Sequence, residues 1–314
     1  MKTPSFWQNR NLISLSLYPL GLLYGLITSA RANKKPDTVS KPVICIGNLT
    51  AGGTGKTPVA ISFSKLIKNK KIFFISRGYG GSLKDIIVDK NTHSPKEVGD
   101  EPLLLAEYAP VVINPNRYQA AQKAIKNGAE IIIMDDGFQN PKLKKDLSFI
   151  VIDGEFGIGN GFSIPAGPLR ESIKSGTKRA DALIILGRDK QSIAKKTKLP
   201  VFYGSIVPQK PDTKNKNIIA FAGIGRPQKL YNSLKELGFN LLDTIDFPDH
   251  HQYSESELNS IIEKALKNNA DIFTTSKDMV KIPQHLQKHF KVLNIEIKWQ
   301  DEKSLTDFIL TKVK

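Results

Sequence analysis

A chain of 314 residues is too long for one minimal domain and suits two α/β units or a single large one. Its 40% hydrophobic and 24% charged residues exclude wholesale disorder. A net charge of +16 favours anionic partners, and a lone cysteine, Cys45, excludes a disulfide framework or a multi-cysteine metal centre. Residues 11–30, NLISLSLYPLGLLYGLITSA, carry no charge over twenty positions, long enough to reach across a bilayer. Lys2 and Arg10 ahead of them and Ala30-Arg31-Ala32 behind them mimic a signal peptide. The other readings are a spanning helix, a helix lying in the membrane interface, and an apolar helix packed on its own domain. Pro19, Gly21 and Gly25 make it a weak spanner. Phe6, Trp7, Tyr18 and Tyr24 suit headgroup depth. Residues 1–36 hold five Lys or Arg and no acid, which suits an anionic leaflet.

From residue 43 the pattern alternates strand and helix, as an α/β fold does. Strands are predicted at 43–46, 72–75, 111–113, 131–134, 147–152 and 182–186, with helices at 58–68, 102–109 and 116–127. The short apolar runs suit parallel strands covered on both faces. Residues 200–216 open on a strand and turn polar and proline-broken, the best linker candidate. A second series follows: IIAFAG, a helix over 227–237, LLDTIDF, a helix over 254–268, DIFTTS, a strand over 290–297 and a last helix over 304–313. The strands at 201–207 and 290–297 bracket this series and are expected to pair as a two-stranded connector.

GNLTAGGTGKTP lies between a strand and a helix, the setting of a phosphate-binding loop. Gly52, Gly53 and Gly55 let backbone N–H groups approach phosphates, and the helix N-terminus favours their charge. Lys56 is expected at the β/γ-phosphates and Thr57 on Mg²⁺. The strict pattern asks for a glycine where Thr50 stands. Membrane-partitioning ATPases carry a lysine where this chain has Ala51, and Thr54 completes the loop. No NKxD guanine motif occurs, since Lys277 and Asp278 are adjacent. Asp135 and Asp136 end a buried strand, a Walker B arrangement for Mg²⁺ or its water. Asp100 and Glu101 read equally as acids at a helix start or as a general base and a metal-shell group. Arg77, Arg117 and Arg170 lie in glycine- or proline-marked loops that suit phosphate clamps. His250, at a strand end of the second series, is placed to assist an acid of the first when a cleft closes.

GNLTAGGTGKTP, SRGYGG, GDEPLLLA, DDGFQ, GNGFSIPAGPLRE, FPDH and TTSKDMVK follow one another as in the tetraacyldisaccharide 4′-kinase (lipid A 4′-kinase) family, which this chain resembles over nearly its whole length. The resemblance implies a P-loop NTPase-like α/β/α domain and a second, smaller α/β/α domain. A two-stranded linker joins them, the site lies in the cleft, and an N-terminal helix associates with the membrane. The corresponding segments are 1–36 for the membrane-associating part, 37–205 for the kinase domain, 206–300 for the second domain and 301–314 for a C-terminal helix. The implied reaction moves the γ-phosphoryl of ATP, with Mg²⁺, to the 4′-hydroxyl of a tetraacylated disaccharide 1-phosphate at the cytoplasmic face of the Gram-negative inner membrane. By the same resemblance Asp100 is the catalytic aspartate, His250 its partner, Lys56 and Thr57 the P-loop pair, and Asp135 and Asp136 the Walker B acids. Glu101, Arg77, Arg117 and Arg170 match further site positions. Two departures stand out: Asn140 replaces a histidine, and Ser276 a glutamate. Besides the lipid acceptor, an anionic membrane surface is the expected partner, with no nucleic acid and no obligate protein. The rival reading is a nucleotide-switched membrane-partitioning ATPase.

Overall fold

The computed structural model describes residues 4–32 and 34–313; Lys2, part of the expected basic start, lies outside them. Helices α1 (Leu12–Ser16) and α2 (Tyr18–Ala32) come first. The larger unit then runs β1 (Val43–Gly47), α3 (Lys56–Leu66), β2 (Ile72–Ser76), β3 (Ile86–Ile87), α4 (Pro95–Val98), α5 (Asp100–Ala106) and β4 (Val111–Ile113). It continues through α6 (Arg117–Lys126), β5 (Ile131–Asp135), β6 (Leu147–Asp153), α7 (Ile173–Thr177), β7 (Ala182–Leu186) and β8 (Val201–Pro208). The smaller unit is β9 (Asn217–Ala222), α8 (Gln228–Glu236), β10 (Asn240–Asp246), α9 (Glu255–Lys267), β11 (Asp271–Thr274), α10 (Ser276–Met279) and β12 (Phe290–Val292). The chain returns through β13 (Ile295–Trp299) and α11 (Glu302–Lys312).

The large sheet has the order β13-β8-β7-β6-β1-β5-β2-β4-β3, and the small one β10-β9-β11-β12. Pairing in the large sheet is parallel except at its two edges, β13 with β8 and β3 with β4. Strands β1, β2, β5, β6 and β7 are buried at every position. Alternate side chains feed two cores: Phe74 packs with Phe63, Leu305 and Ile309 on one face, and Phe73 and Ile75 with Ala120, Ala124 and Met134 on the other. That is why these strands read as continuous apolar runs rather than alternating ones. The expected strand over 290–297 breaks in two at Leu293 and Asn294. Its first half joins the small sheet beside β11. Its second half pairs antiparallel with β8, from Ile295 opposite Pro208 to Trp299 opposite Gly204. The connector therefore forms, but as an extension of the large sheet, because β8 also pairs with β7. Gly204 belongs there because a Cβ would come within 2.8 Å of Ile297 and 3.0 Å of the Trp299 ring.

Among the described residues no helix is long and apolar enough to cross a membrane. The uncharged stretch is split at Leu17, after a short α1 capped by reciprocal Asn11 and Ser14 hydrogen bonds. Fifteen residues in α2 extend roughly 22 Å, short of the ~30 Å hydrocarbon core. Helix α2 docks through Gly21 and Gly25 on Ser163, where added Cβ atoms would meet Ser163 O at 2.6 Å and its Oγ at 2.9 Å. The Trp7 indole donates to Pro165 O, and Tyr18 packs on Phe162. The reading of a helix packed on its own domain therefore holds for one side of α2. A narrow glycine seam holds the helix on the 160–168 loop, while Leu12, Leu20, Leu23 and Leu26 stay exposed, Leu12 at 85%.

Candidate active site

The site is built along the carboxyl ends of the parallel strands, where an open α/β sheet leaves its crevice. Strand β1 delivers the P-loop. Its Gly52 and Gly55 have φ of +110° and +92°, which glycine adopts without strain. The Asn48 side chain donates to Thr54 Oγ1 at 3.1 Å, and Ala51 N donates to Pro168 O at 2.7 Å. Thr50 bridges Leu169. The loop is therefore held from outside by the PAGPLRE segment, and Gly53 has open space around it. Lys56 and Thr57 begin α3.

Strand β5 ends on the two aspartates. Thr57 Oγ1 donates to Asp135 Oδ2 at 3.0 Å, while the buried Asp135 Oδ1 has no hydrogen-bond partner. Burial first, and the Glu101 charge second, push the Asp135 carboxyl up to about 7. A carboxylate so placed, with one orphaned oxygen, suits a cation. Among the described residues no three acidic, imidazole or thiol groups form a cage by themselves. That fits Mg²⁺, which takes one or two carboxylates and completes its shell with phosphates and water. Asp136 has φ of +48° and accepts from both Arg170 amines, at 3.0 and 3.4 Å, with Lys56 Nζ 3.6 Å away. Burial opposes the charge of Asp136, but Lys56 and Arg170 outweigh it and hold its pKa low.

Arg117 is buried, donates to Asn114 O at 2.8 Å and leaves Nε unpartnered. Burial brings its pKa down to about 10, helped by the charge of Arg77 nearby. Arg77 itself is exposed. The arginines thus divide: Arg170 braces a Walker B acid, whereas Arg117 and Arg77 remain available to an anion.

On the same domain, Asp100 opens α5 behind Gly99, whose φ is +91°. Gly99 rather than Asp100 is the N-cap, so Asp100 and Glu101 both sit in the first turn, where the dipole favours carboxylates. Their backbone capping role and their chemical role coexist. His250, with φ of +62°, reaches from the end of β10 and places Nδ1 3.0 Å from Asp100 Oδ2 and 3.1 Å from Oδ1. Burial raises the Asp100 pKa, but the His250 hydrogen bond and the Lys277 charge prevail and lower it. The same hydrogen bond raises His250 against its burial and Lys277.

Sequence reasoning missed Lys277 as a site residue. Its ammonium donates to Glu101 Oε1 at 3.2 Å and lies 3.7 Å from Asp249, 3.8 Å from Asp100 and 3.5 Å from His250 Nε2. An ammonium can only donate, so the imidazole proton belongs on Nδ1, facing Asp100. Behind Lys277, fully buried Asp278 pairs with Lys281 at 2.6 Å and accepts from Tyr253 and Gly223 N. His250 N donates to Gly223 O, so one buried ion pair pins both loops that carry His250 and Lys277. A second clasp joins the domains. Asp153, ending β6 beside β1, accepts from Arg226 at 2.7 Å and Lys229 at 2.6 Å. The signals for Lys277 were its place just after a strand of the second series and its presence in the TTSKDMVK motif. The departures Asn140 and Ser276 make none of the contacts between Asp100, His250 and Lys277.

The family described as tetraacyldisaccharide-1-P 4′-kinase matches residues 13–314. A tetraacyldisaccharide 4′-kinase of Parvibaculum lavamentivorans is 46% identical, with 90% of this chain and 87% of that protein covered. One from Paramagnetospirillum magneticum is 40% identical, covering 98% and 97%. The crystal structure of LpxK from Aquifex aeolicus in complex with ATP superposes with a TM-score of 0.81 at 29% identity, over 96% of this chain and 100% of that one.

Proposed function

The chain belongs to the tetraacyldisaccharide-1-P 4′-kinase family and transfers the γ-phosphoryl of ATP to the 4′-hydroxyl of a tetraacyldisaccharide 1-phosphate in lipid A synthesis; from that premise we propose that Asp100 is the base of the transfer and His250 its support. The observation that carries this is the 3.0 Å contact between groups 150 positions apart, one on each wall of the cleft. A sugar hydroxyl is a poor nucleophile. Asp100, held ionised by its partners, takes the 4′-hydroxyl proton as the new O–P bond forms. The bond from the γ-phosphorus to the bridging oxygen breaks, and ADP leaves with the electron pair. A positioned base contributes about 10²–10⁴-fold. His250 holds the carboxylate, and Lys277 offsets the crowding of Asp100, Glu101 and Asp249.

Phosphoryl transfer otherwise depends on positioning and charge neutralisation. Thr50 to Thr57 wrap the phosphates, with Lys56 at the β/γ bridge and Arg117, Arg77 and Arg170 around them. Thr57, Asp135 and Asp136 would hold Mg²⁺, which supplies charge neutralisation at the phosphate oxygens when bound with ATP. Glu101 completes the acidic rim, its carboxylate drawn toward the second domain by Lys277.

The acceptor is a lipid that stays in its bilayer, so the enzyme works at the cytoplasmic face of the inner membrane. Helices α1 and α2 lie in that interface, with their exposed leucines among acyl chains and the basic residues after α2 at the headgroups. The partitioning-ATPase reading has nothing in its favour, since Ala51 stands where its lysine is required. The test is incubation with ATP, Mg²⁺ and a tetraacyldisaccharide 1-phosphate in detergent micelles, with the product's phosphate position read by NMR. Phosphate on the 4′-oxygen supports the reading, and ATP hydrolysis without lipid product contradicts it.

A further inference from the structure

Below the C-terminal end of α2 the first domain carries an open pocket of about 290 Å³ that no step of the transfer uses. That size approaches the lower end of small-ligand pockets, roughly 300 Å³. Its lining includes Ala32 of α2 and Lys34 just beyond it, then Lys144, Lys145, Ser148 and Arg179. Four of its eleven lining residues are cations, and no carboxylate lines the wall.

The cations are not equally engaged. Lys144 pairs with Asp146 at 3.2 Å. Arg179 pairs with buried Glu171 at 2.7 and 2.8 Å, its guanidinium 5.1 Å above the Phe138 ring. Lys145 is different. Its ammonium donates to the carbonyls of Phe138 and Asn140, and among the described residues no carboxylate lies within ion-pair distance. Burial lowers its pKa. The nearest carboxylate to act on it, Glu171, is already paired with Arg179, and a partly buried cation with no ion-pair partner of its own is costly unless an anion from outside supplies one.

The place of the cavity separates it from the transfer site. Ser148 lies near the start of β6, opposite Cys45, whereas the P-loop and Asp153 lie at the carboxyl ends of the strands. Five residues of strand put them about 17 Å apart. Helix α2 spans that flank, from Gly21 and Gly25 on the 160–168 loop to Ala32 at the cavity. Its exposed Leu22, Leu23, Leu26 and Ile27 precede the cavity along the helix.

We infer that this cavity is a headgroup site for an anionic phospholipid of the bilayer, whose phosphodiester meets Lys145 and Lys34 while its chains lie along the apolar face of α2. The inference rests on the interfacial reading of α2. An anionic headgroup supplies the charge Lys145 lacks, and the site fixes the end of α2 remote from the reacting edge. An enzyme so held turns about its lipid contact with its cleft kept toward the membrane.

The test uses the full chain and sedimentation with vesicles of phosphatidylcholine alone or with 20 mol% phosphatidylglycerol, in enough salt to screen distant charges. Wild type is expected to bind both vesicles, and the phosphatidylglycerol ones several-fold more tightly. Lys145→Met and Lys34→Gln should remove most of that increment and leave phosphatidylcholine binding unchanged. Lys34 is exposed, so its variant keeps the test valid if Lys145→Met folds poorly. Lys267→Gln on α9 makes the same charge change elsewhere and should retain the increment. Equal losses in all three variants would overturn the site in favour of general charge attraction. So would an unchanged increment with a raised KM for the disaccharide acceptor in micelles, which would assign the cavity to the substrate. Failure of wild type to bind either vesicle would overturn the interfacial reading of α2 and the site with it.

Discussion

His250 Nδ1 lies 3.0 Å from Asp100 Oδ2, although the one residue opens a helix of the first domain and the other follows a strand of the second. The contact exists only when the two domains face each other. Each single substitution to Ala is expected to cut kcat while leaving ATP affinity largely intact. Groups acting as one unit are non-additive, so the double variant should be little worse than the poorer single one. Losses that multiply in steady-state kinetics would mean independent roles.

The same pair makes a pH-dependent clasp. Asp100 is shifted down, so its contribution to stability is present above its ordinary value of 3.8 and is lost as pH falls through the lowered one. His250 is shifted up, so its contribution is complete below its ordinary 6.5 and is lost as pH rises through the raised one. The window between 3.8 and 6.5 holds both in full. The melting-temperature difference between wild type and His250→Ala should be largest inside that window and shrink toward alkaline pH. A difference that grew steadily above neutrality would contradict the pairing.

Lys277 faces Asp100, Glu101, Asp249 and His250 together. Lys277→Met should lower kcat by roughly 10-fold or more, as expected when one buried charge loses its partner, a cost of about 2–5 kcal/mol at full burial. Lys277→Arg should restore part of the loss, and circular dichroism should show both variants folded. Full activity in Lys277→Met would reduce the residue to a bystander.

Much of this organisation was legible in the sequence because it is local. VICIG, IFFIS and ALIIL read as buried parallel strands because both faces of the large sheet are covered, and each residue meets a core. The P-loop was legible because phosphate binding demands glycines at fixed offsets from a lysine. The break within 290–297 was not, because the two halves join different sheets and nothing local marks Leu293 and Asn294 as the crossing point. Lys277 and the Asp153 clasp with Arg226 were hidden for a related reason. Lys277 meets Asp100 and Glu101, and Arg226 meets Asp153, only across the two domains, and the spacing of charges along the chain does not show such pairs. The sequence already marked the stretch as a weak spanner through Pro19, Gly21 and Gly25, but the docking role of the two glycines needed the fold, since Ser163 is distant in the chain.

Deleting residues 1–30 is expected to move the protein to the soluble fraction while the large sheet stays folded, because the contacts of that segment gather on the 159–168 loop rather than on the sheet's core. Gly21→Val should separate anchoring from docking. The added side chain strikes Ser163 O, yet the exposed leucines are untouched, so membrane sedimentation should persist. Unchanged sedimentation of the deletion variant would remove the helix as anchor.

The central claim is tested most directly by measuring phosphoryl transfer to a tetraacyldisaccharide 1-phosphate in micelles, alongside Mg²⁺–ATP affinity, for wild type and Asp100→Ala. Asp100→Ala should lose about 10²–10⁴-fold in kcat, the worth of a positioned base, with nucleotide affinity changed by no more than about twofold. A variant that kept its kcat at saturating Mg²⁺–ATP but bound the nucleotide far more weakly would make Asp100 a metal-shell group and contradict its role as the base.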